Sequence, residues 1–215
     1  MMKAIFFDMD GTLFQTTSIL ETALDVTFDA LRADGSWQGA TPIDTYFNIM
    51  GVPLPVVWQK LCPDFTEPQR IAANENFHQQ LILAIQQQHG ELYEGAKELL
   101  QQLAKHYPLF VTSNGEVEYL KAIVQAFDIE QYFTQVYSIQ QIDSLNKSEL
   151  VALAKQQHGV TEGFVVGDRL SDIQAAKDNG LIAIGVNFDF AQQQELQQAD
   201  YVVQQLGEIP RIVDL

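Results

Sequence analysis

The chain has 215 residues and a formal net charge of -16, from 12 Lys and Arg against 28 Asp and Glu, which argues against nonspecific binding to nucleic acid or an anionic membrane. A small phosphorylated ligand is compatible with that charge, because the acidic surface is screened within about 10 Å and the ligand answers to its local site. A hydrophobic content of 47% with one cysteine, Cys62, and apolar runs of only a few residues predict a folded protein with no disulfide, no signal peptide and no membrane span, in a reducing, cytoplasmic compartment.

The first element is the apolar run Ala4-Ile5-Phe6-Phe7, which stops at Asp8-Met9-Asp10-Gly11-Thr12-Leu13. The run reads as a strand buried on both faces, and Gly11 supplies the freedom to turn sharply out of a sheet. Two carboxylates at the mouth of a buried strand repel each other and raise one pKa unless a cation or a catalytic task compensates. Mg2+ is such a cation, since it takes oxygen ligands and keeps part of its water shell. A surface Asp-Gly turn also fits this segment by itself. A calcium loop does not, because Ile19 stands where its closing Glu belongs.

Residues 14–90 contain helix-like stretches at 19–33 and 67–88, loops around Gly35, Pro42 and Gly51, and no convincing buried strand. They read as an insertion. Placed directly after the first strand, it emerges at the carboxyl edge of a sheet, where open α/β folds bind ligands, and is positioned to act as a lid. Arg32, Lys60 and Arg70 are its basic candidates for substrate contact. Cys62, flanked by Leu61 and Pro63, has no activating base beside it and reads as packing. The runs Gln86-Gln87-Gln88 and Gln192-Gln193-Gln194 read as solvated helix faces.

From Leu92 onward, strand-like and helix-like segments alternate. Short apolar runs occur at 109–111, 136–138, 164–166, 182–186 and 201–203. Helical spacing links Ala96, Leu99, Leu100, Leu103 and Ala104, then Val117, Leu120, Ile123, Val124 and Phe127, then Leu150, Val151, Leu153 and Ala154. The pattern predicts an α/β fold: a mostly parallel sheet of about six strands with helices on both faces.

Three later strand ends carry polar chemistry. Thr112-Ser113-Asn114-Gly115 offers hydroxyls, an amide and backbone N–H groups just before a helix, a good phosphate cradle, though such residues are also ordinary N-caps. Asp168 and Asp172, in Gly167-Asp168-Arg169-Leu170-Ser171-Asp172, bring two more carboxylates to the sheet edge as partners of Asp8 around a metal; Asp172 also suits a helix N-terminus. Lys147 follows the run at 136–138, where an ammonium can neutralise a nucleophile or a phosphate.

In this order the four segments resemble the four motifs of the haloacid dehalogenase-like hydrolase superfamily. The likeness covers nearly the whole chain. Leu92-Tyr93-Glu94-Gly95-Ala96 resembles the entry to the helix before the second motif, and 163–186 resembles the phosphoglycolate phosphatase branch, whose helical cap matches the insertion in place and size. The resemblance implies a Rossmann-like core of residues 1–14 and 91–215 with a helical cap of residues 15–90. It implies Mg2+-dependent hydrolysis of a small phosphorylated metabolite by a monomer or small homo-oligomer, with Asp8 as nucleophile, Asp10 as general acid and base, and Lys147 as the neutralising cation. It also implies Gly11, Thr12, Thr112, Ser113 and Asn114 as substrate-binding residues, with either Thr112 or Ser113 as the second-motif hydroxyl. Asp8, Asp10, Asp168 and Asp172 are the implied metal ligands, Asp10 through its backbone carbonyl.

The chain departs from the family at Gln15, Glu94 and Ser148, where an acid, a proline and a proline are common; these positions bear on substrate choice more than on reaction type. A dehalogenase of the same fold is disfavoured by Asp10, since a halide leaving group needs no general acid. A sugar phosphomutase shares Asp10, but its relatives place a cap histidine shortly after the first motif, where this chain has Leu20 and no histidine before His78. A phosphoacceptor module resembling receiver domains also uses an acidic pocket, a hydroxyl and a lysine; Asp10 and the insertion argue against it. Phosphoglycolate, sugar phosphates, nucleoside monophosphates and pyrophosphate all remain open as substrates.

Overall fold

Ala4, Ile5, Phe6 and Phe7 are each fully buried, and a strand apolar on both faces belongs in the middle of a sheet covered on both sides. The computed structural model, which describes residues 2–49, 52 and 54–214, puts it there; the loop expected around Gly51 lies outside the described residues. The chain runs β1 (Met2–Phe7), α1 (Thr17–Ala33), α2 (Ile43–Asn48), α3 (Leu54–Leu61), α4 (Glu67–Gln86), α5 (Ala96–Leu103), β2 (Leu109–Ser113), α6 (Val117–Ala126), β3 (Gln135–Ser138), α7 (Lys147–His158), β4 (Val160–Gly167), α8 (Leu170–Asp178), β5 (Ile182–Val186), α9 (Gln193–Leu196), β6 (Tyr201–Val203) and α10 (Ile209–Ile212). The six strands form one sheet in the order β3-β2-β1-β4-β5-β6, and every pair is parallel. Among the described residues no helix is long and apolar enough to cross a membrane.

Side-chain alternation along β1 divides the core in two. Ile5 and Phe7 pack with Leu99 and Leu100 of α5 and Leu120 and Ile123 of α6, while Ala4 and Phe6 pack with Leu150 and Val151 of α7 and Ile173 and Ala176 of α8. Phe6 stacks on Phe110 of β2 with ring centroids 5.1 Å apart. Helices therefore cover both faces, as the alternation predicted. Strand β4 begins four residues before the apolar run at 164–166: Thr161, Glu162 and Gly163 break the hydrophobic signal, yet Glu162 and Gly163 pair with β1 and the register shifts at Thr161.

Helices α1 to α4 leave and rejoin this core through two paired crossings. Gln15 N–H donates to Glu91 O at 2.8 Å, Tyr93 N–H donates to Leu13 O at 3.0 Å, and Phe14 bridges Leu92. The four helices gather around aromatic side chains: Phe28 meets Trp37 and Trp58, and Trp58 and Tyr46 both meet Phe77. Helices α2 and α3, with six and eight residues, are too short for a hydrophobic period to be legible. Cys62 is buried and unpaired, and burial pushes its thiol up to about 11 despite nearby Arg70.

Gly163 lies opposite Ala4 in the β1–β4 ladder with φ of +149°. A side chain there would run into the Ala4 carbonyl. Gly163→Ala is expected to destabilise the protein by about 2 kcal/mol or more, through strain and displacement of the central strand pair. An unchanged urea midpoint for that variant would contradict the ladder geometry.

Candidate active site

Strand order reverses between β1 and its neighbours β2 and β4, so the carboxyl ends of these three strands meet at the switch point where open α/β sheets bind ligands. Asp8 follows β1 directly, and its N–H donates to Val166 O of β4 at 2.9 Å. The chain then folds back: the N–H groups of Leu13 and Phe14 both donate to Met9 O at 2.9 Å, and Gly11 N–H donates to Phe14 O at 3.0 Å. Gly11 takes φ of +72°, and a Cβ there would sit 2.6 Å from Asp168 Oδ2. Gly167 at the end of β4 is constrained similarly, since its Cβ would collide with the Asp172 side chain. Both glycines let carboxylates close in.

Asp8, Asp168 and Asp172 are buried, with one oxygen of each lying within 4.8 Å of the others. Lys147 enters from the start of α7, where the Asn146 side chain accepts Ser148 N–H at 2.9 Å and caps the helix. Its Nζ lies 2.8 Å from Asp8 Oδ2 and is also paired with Asp172. Burial alone would depress this ammonium, but Asp172 and Asp8 outweigh it and hold Lys147 above its ordinary range. Burial, then Asp172 and Asp8, drive Asp168 well above the usual carboxylate range. Burial also raises Asp172, with Lys147 pulling the other way. Arg169 opposes the rise of Asp168 only weakly, behind Lys147, and its guanidinium pairs with Glu195 at 3.0 Å.

Three buried carboxylates against one ammonium leave an uncompensated negative charge, which proteins resolve by protonation or by binding a cation. An all-oxygen donor set of this kind fits a hard divalent ion such as Mg2+. Thr12 donates to Asp168 Oδ1 at 3.2 Å, so its hydroxyl supports the cluster from behind.

Asp10 stands apart from that cluster. Its Oδ1 accepts from both Thr16 Oγ1 and Tyr119 Oη, and burial raises it to about 6 against the lowering effect of those two hydroxyls. Asp8 and Asp10 share a cavity of about 50 Å³ whose lining includes Ser113 and Asn114 from the end of β2, Tyr46 and His78 from the inserted helices, and Tyr119 of α6. Ser113 Oγ accepts Gly115 N–H at 3.1 Å, and the hydroxyl of Thr112 is buried without a hydrogen-bond partner among the described residues. Neither Gly11, Thr12 nor Thr112 lines the cavity itself.

The basic residues of the insertion are elsewhere. Arg32 binds Asp29, Gly39 O and Thr41, Arg70 donates to Phe65 O, and Lys60 is exposed; none lines the cavity. What sequence reasoning missed are Thr16, Tyr46 and Tyr119, together with the placement of His78. Tyr46, His78 and Tyr119 sit on helices at positions that read equally well as core, and no motif marks them.

A model of the haloacid dehalogenase-like hydrolase family matches residues 5–186. A phosphoglycolate phosphatase from Vibrio vulnificus is 25% identical over 98% of this chain and 96% of its own length, and a pyrophosphatase, PpaX, from Listeria monocytogenes is 22% identical over 97% and 95%. The structure of CbbY from Rhodobacter sphaeroides in complex with phosphate superposes with a TM-score of 0.85 over the full length of both chains at 19% identity, a likeness of fold. The family match spans β1 through β5 and so takes in every strand end that contributes a carboxylate, hydroxyl or lysine to the site, and on that ground the chain belongs to the haloacid dehalogenase-like hydrolase family.

Proposed function

We propose that the protein is a Mg2+-dependent phosphatase that hydrolyses a small phosphate monoester through a phosphoryl group carried on Asp8, in the cytoplasm. The observation that carries this reading is the pairing, in one cavity, of a carboxylate tied to a buried lysine, Asp8, with a second carboxylate held by two hydroxyls and raised to about 6, Asp10. Relatives named phosphoglycolate phosphatase and pyrophosphatase support it.

An Asp8 carboxylate oxygen attacks phosphorus, and the bond from phosphorus to the ester oxygen breaks. Asp10, protonated in this step, gives its proton to the departing alkoxide. A water then attacks the phosphoryl group on Asp8 while Asp10 takes the water's proton; phosphate leaves and Asp8 regains its carboxylate. A pKa near 6 suits a group that must both give and accept a proton near neutral pH. The Lys147 ammonium lowers the repulsion between the Asp8 carboxylate and an anionic phosphate, and Ser113 and Asn114, which line the cavity, offer donors to phosphoryl oxygens. Asp8, Asp168 and Asp172 would hold Mg2+, which would supply the positive charge the buried cluster lacks. Residues 15–90 serve as a cap over the core of residues 1–14 and 91–215, with hinges at the paired crossings, excluding water once substrate is bound.

Two measurements test the reading. Asp10 and Asp172 have folded-state pKa values raised to about 6, so the stability they contribute is present below about 4, the ordinary carboxylate value, and is lost as pH rises through about 6; Asp168, raised by burial and its acidic neighbours, acts in the same direction. Mg2+ at a hundredfold excess over its Kd should therefore raise Tm by about 5 °C or more at pH 7.5 and by less at pH 5. A Tm indifferent to Mg2+ at both pH values would remove the metal site.

In steady-state kinetics, Asp8→Asn should abolish turnover. Asp10→Asn should slow hydrolysis of an alkyl phosphate by about 10²- to 10⁴-fold and that of p-nitrophenyl phosphate much less, since p-nitrophenolate departs without a proton. Equal losses on both substrates would take the acid role from Asp10.

A further inference from the structure

His78 is a buried polar group that the reaction above does not use. It comes from α4 and lines the cavity that Asp8 and Asp10 also line, and it is 9% exposed. Its Nε2 is buried and has no hydrogen-bond partner among the described residues. An orphaned polar atom on a substrate cavity is a position waiting for a ligand group.

Which group it awaits follows from the other side of the ring. His78 Nδ1 lies 3.4 Å from Glu116 Oε2. Glu116 Oε1 accepts from Asn74 Nδ2 at 3.0 Å, and Asn74 Oδ1 accepts from Trp58 Nε1 at 2.8 Å. This relay fixes Glu116 as an acceptor toward the imidazole, which places the ring proton on Nδ1 and leaves Nε2 a lone pair. Burial holds the ring neutral, lowering its pKa against the opposing pull of Glu116 and Glu118. A lone pair needs a donor, and a hydroxyl has one; a carboxylate or an ionised second phosphate has none.

Charge gives the same answer. An anionic tail on the substrate would approach Glu116 and Asp10, and among the described residues no lysine or arginine lines the cavity to meet it: Lys147 is held by Asp8 and Asp172, and Arg32 and Arg70 are bound elsewhere. Tyr46, Leu81 and Tyr119 complete this wall with surfaces suited to a carbon chain.

Resting on the phosphatase reading, we propose that the leaving group is a short, uncharged, hydroxylated carbon chain with one hydroxyl donating to His78 Nε2. The preferred substrates are then monophosphates of small polyols, ahead of esters bearing a carboxylate or a second phosphate. The experiment compares kcat/KM of the Mg2+-loaded enzyme for glycerol 1-phosphate, phosphoglycolate, pyrophosphate and p-nitrophenyl phosphate. Glycerol 1-phosphate should exceed phosphoglycolate and pyrophosphate by about tenfold or more, the worth of one hydrogen bond to an otherwise orphaned group. His78→Phe should lower the ratio of glycerol 1-phosphate to p-nitrophenyl phosphate activity by about tenfold, and His78→Gln, whose amide oxygen can accept, should recover part of it.

Phosphoglycolate or pyrophosphate turned over as well as glycerol 1-phosphate would overturn the proposal, and that ranking needs no variant to fold. So would an unchanged ratio in His78→Phe. If no phosphate compound is hydrolysed, p-nitrophenyl phosphate included, the phosphatase reading itself falls and this inference falls with it.

Discussion

One ammonium, Lys147 Nζ, stands among three buried carboxylates at the carboxyl edge of the sheet, and the local architecture follows from that imbalance. Stripping an ion pair of water is worthwhile only when its geometry is good and its remaining lone pairs are met. Gly11 and Gly167 leave the space that Asp168 and Asp172 occupy, the Asn146 cap starts α7 where Lys147 can reach Asp8, and Thr12 takes an oxygen of Asp168. Even so, one lysine does not neutralise three acids. Such a site is strained toward binding positive charge, which links the fold of the sheet edge to the chemistry proposed for it.

Asp10 shows how two carboxylates separated by one residue acquire different roles. The turn after β1 carries Asp8 into the lysine-bound cluster and swings Asp10 toward the inserted helices, where Thr16 and Tyr119 hold it. One acid stays beside an ammonium; the other accepts from two neutral hydroxyls, and burial raises it to about 6. The segment between β1 and α5 also contributes side chains to the cavity. Thr16 enters that segment, His78 comes from its longest helix, and the Trp58–Asn74–Glu116 relay ties α3 and α4 to the loop after β2.

The sheet was legible in the sequence because its strands are buried on both faces and read as short apolar runs separated by helical periods. Asp8, Asp10, Asp168 and Asp172 were legible as carboxylates just after those runs, and Lys147 by its place in the connection that follows the run at 136–138. Helices α2 and α3 escaped because a stretch of six or eight residues holds too little period, and β4 was read short because Gly163 and Glu162 interrupt its apolar signal. Basic residues in the insertion looked like substrate contacts, yet Arg32 and Arg70 serve backbone carbonyls within it. The cavity wall is made instead of Tyr46, His78 and Tyr119, whose relevance depends on packing between elements distant in the chain, information that local spacing does not carry.

The proposed reaction requires Asp8 to carry the phosphoryl group. Rapid acid quenching during turnover, followed by borohydride reduction, converts an aspartyl phosphate to homoserine, which peptide mapping then locates. Homoserine at position 8, absent without substrate, is the predicted result. An unmodified Asp8 in enzyme quenched at full turnover, or homoserine at position 10, would contradict the account.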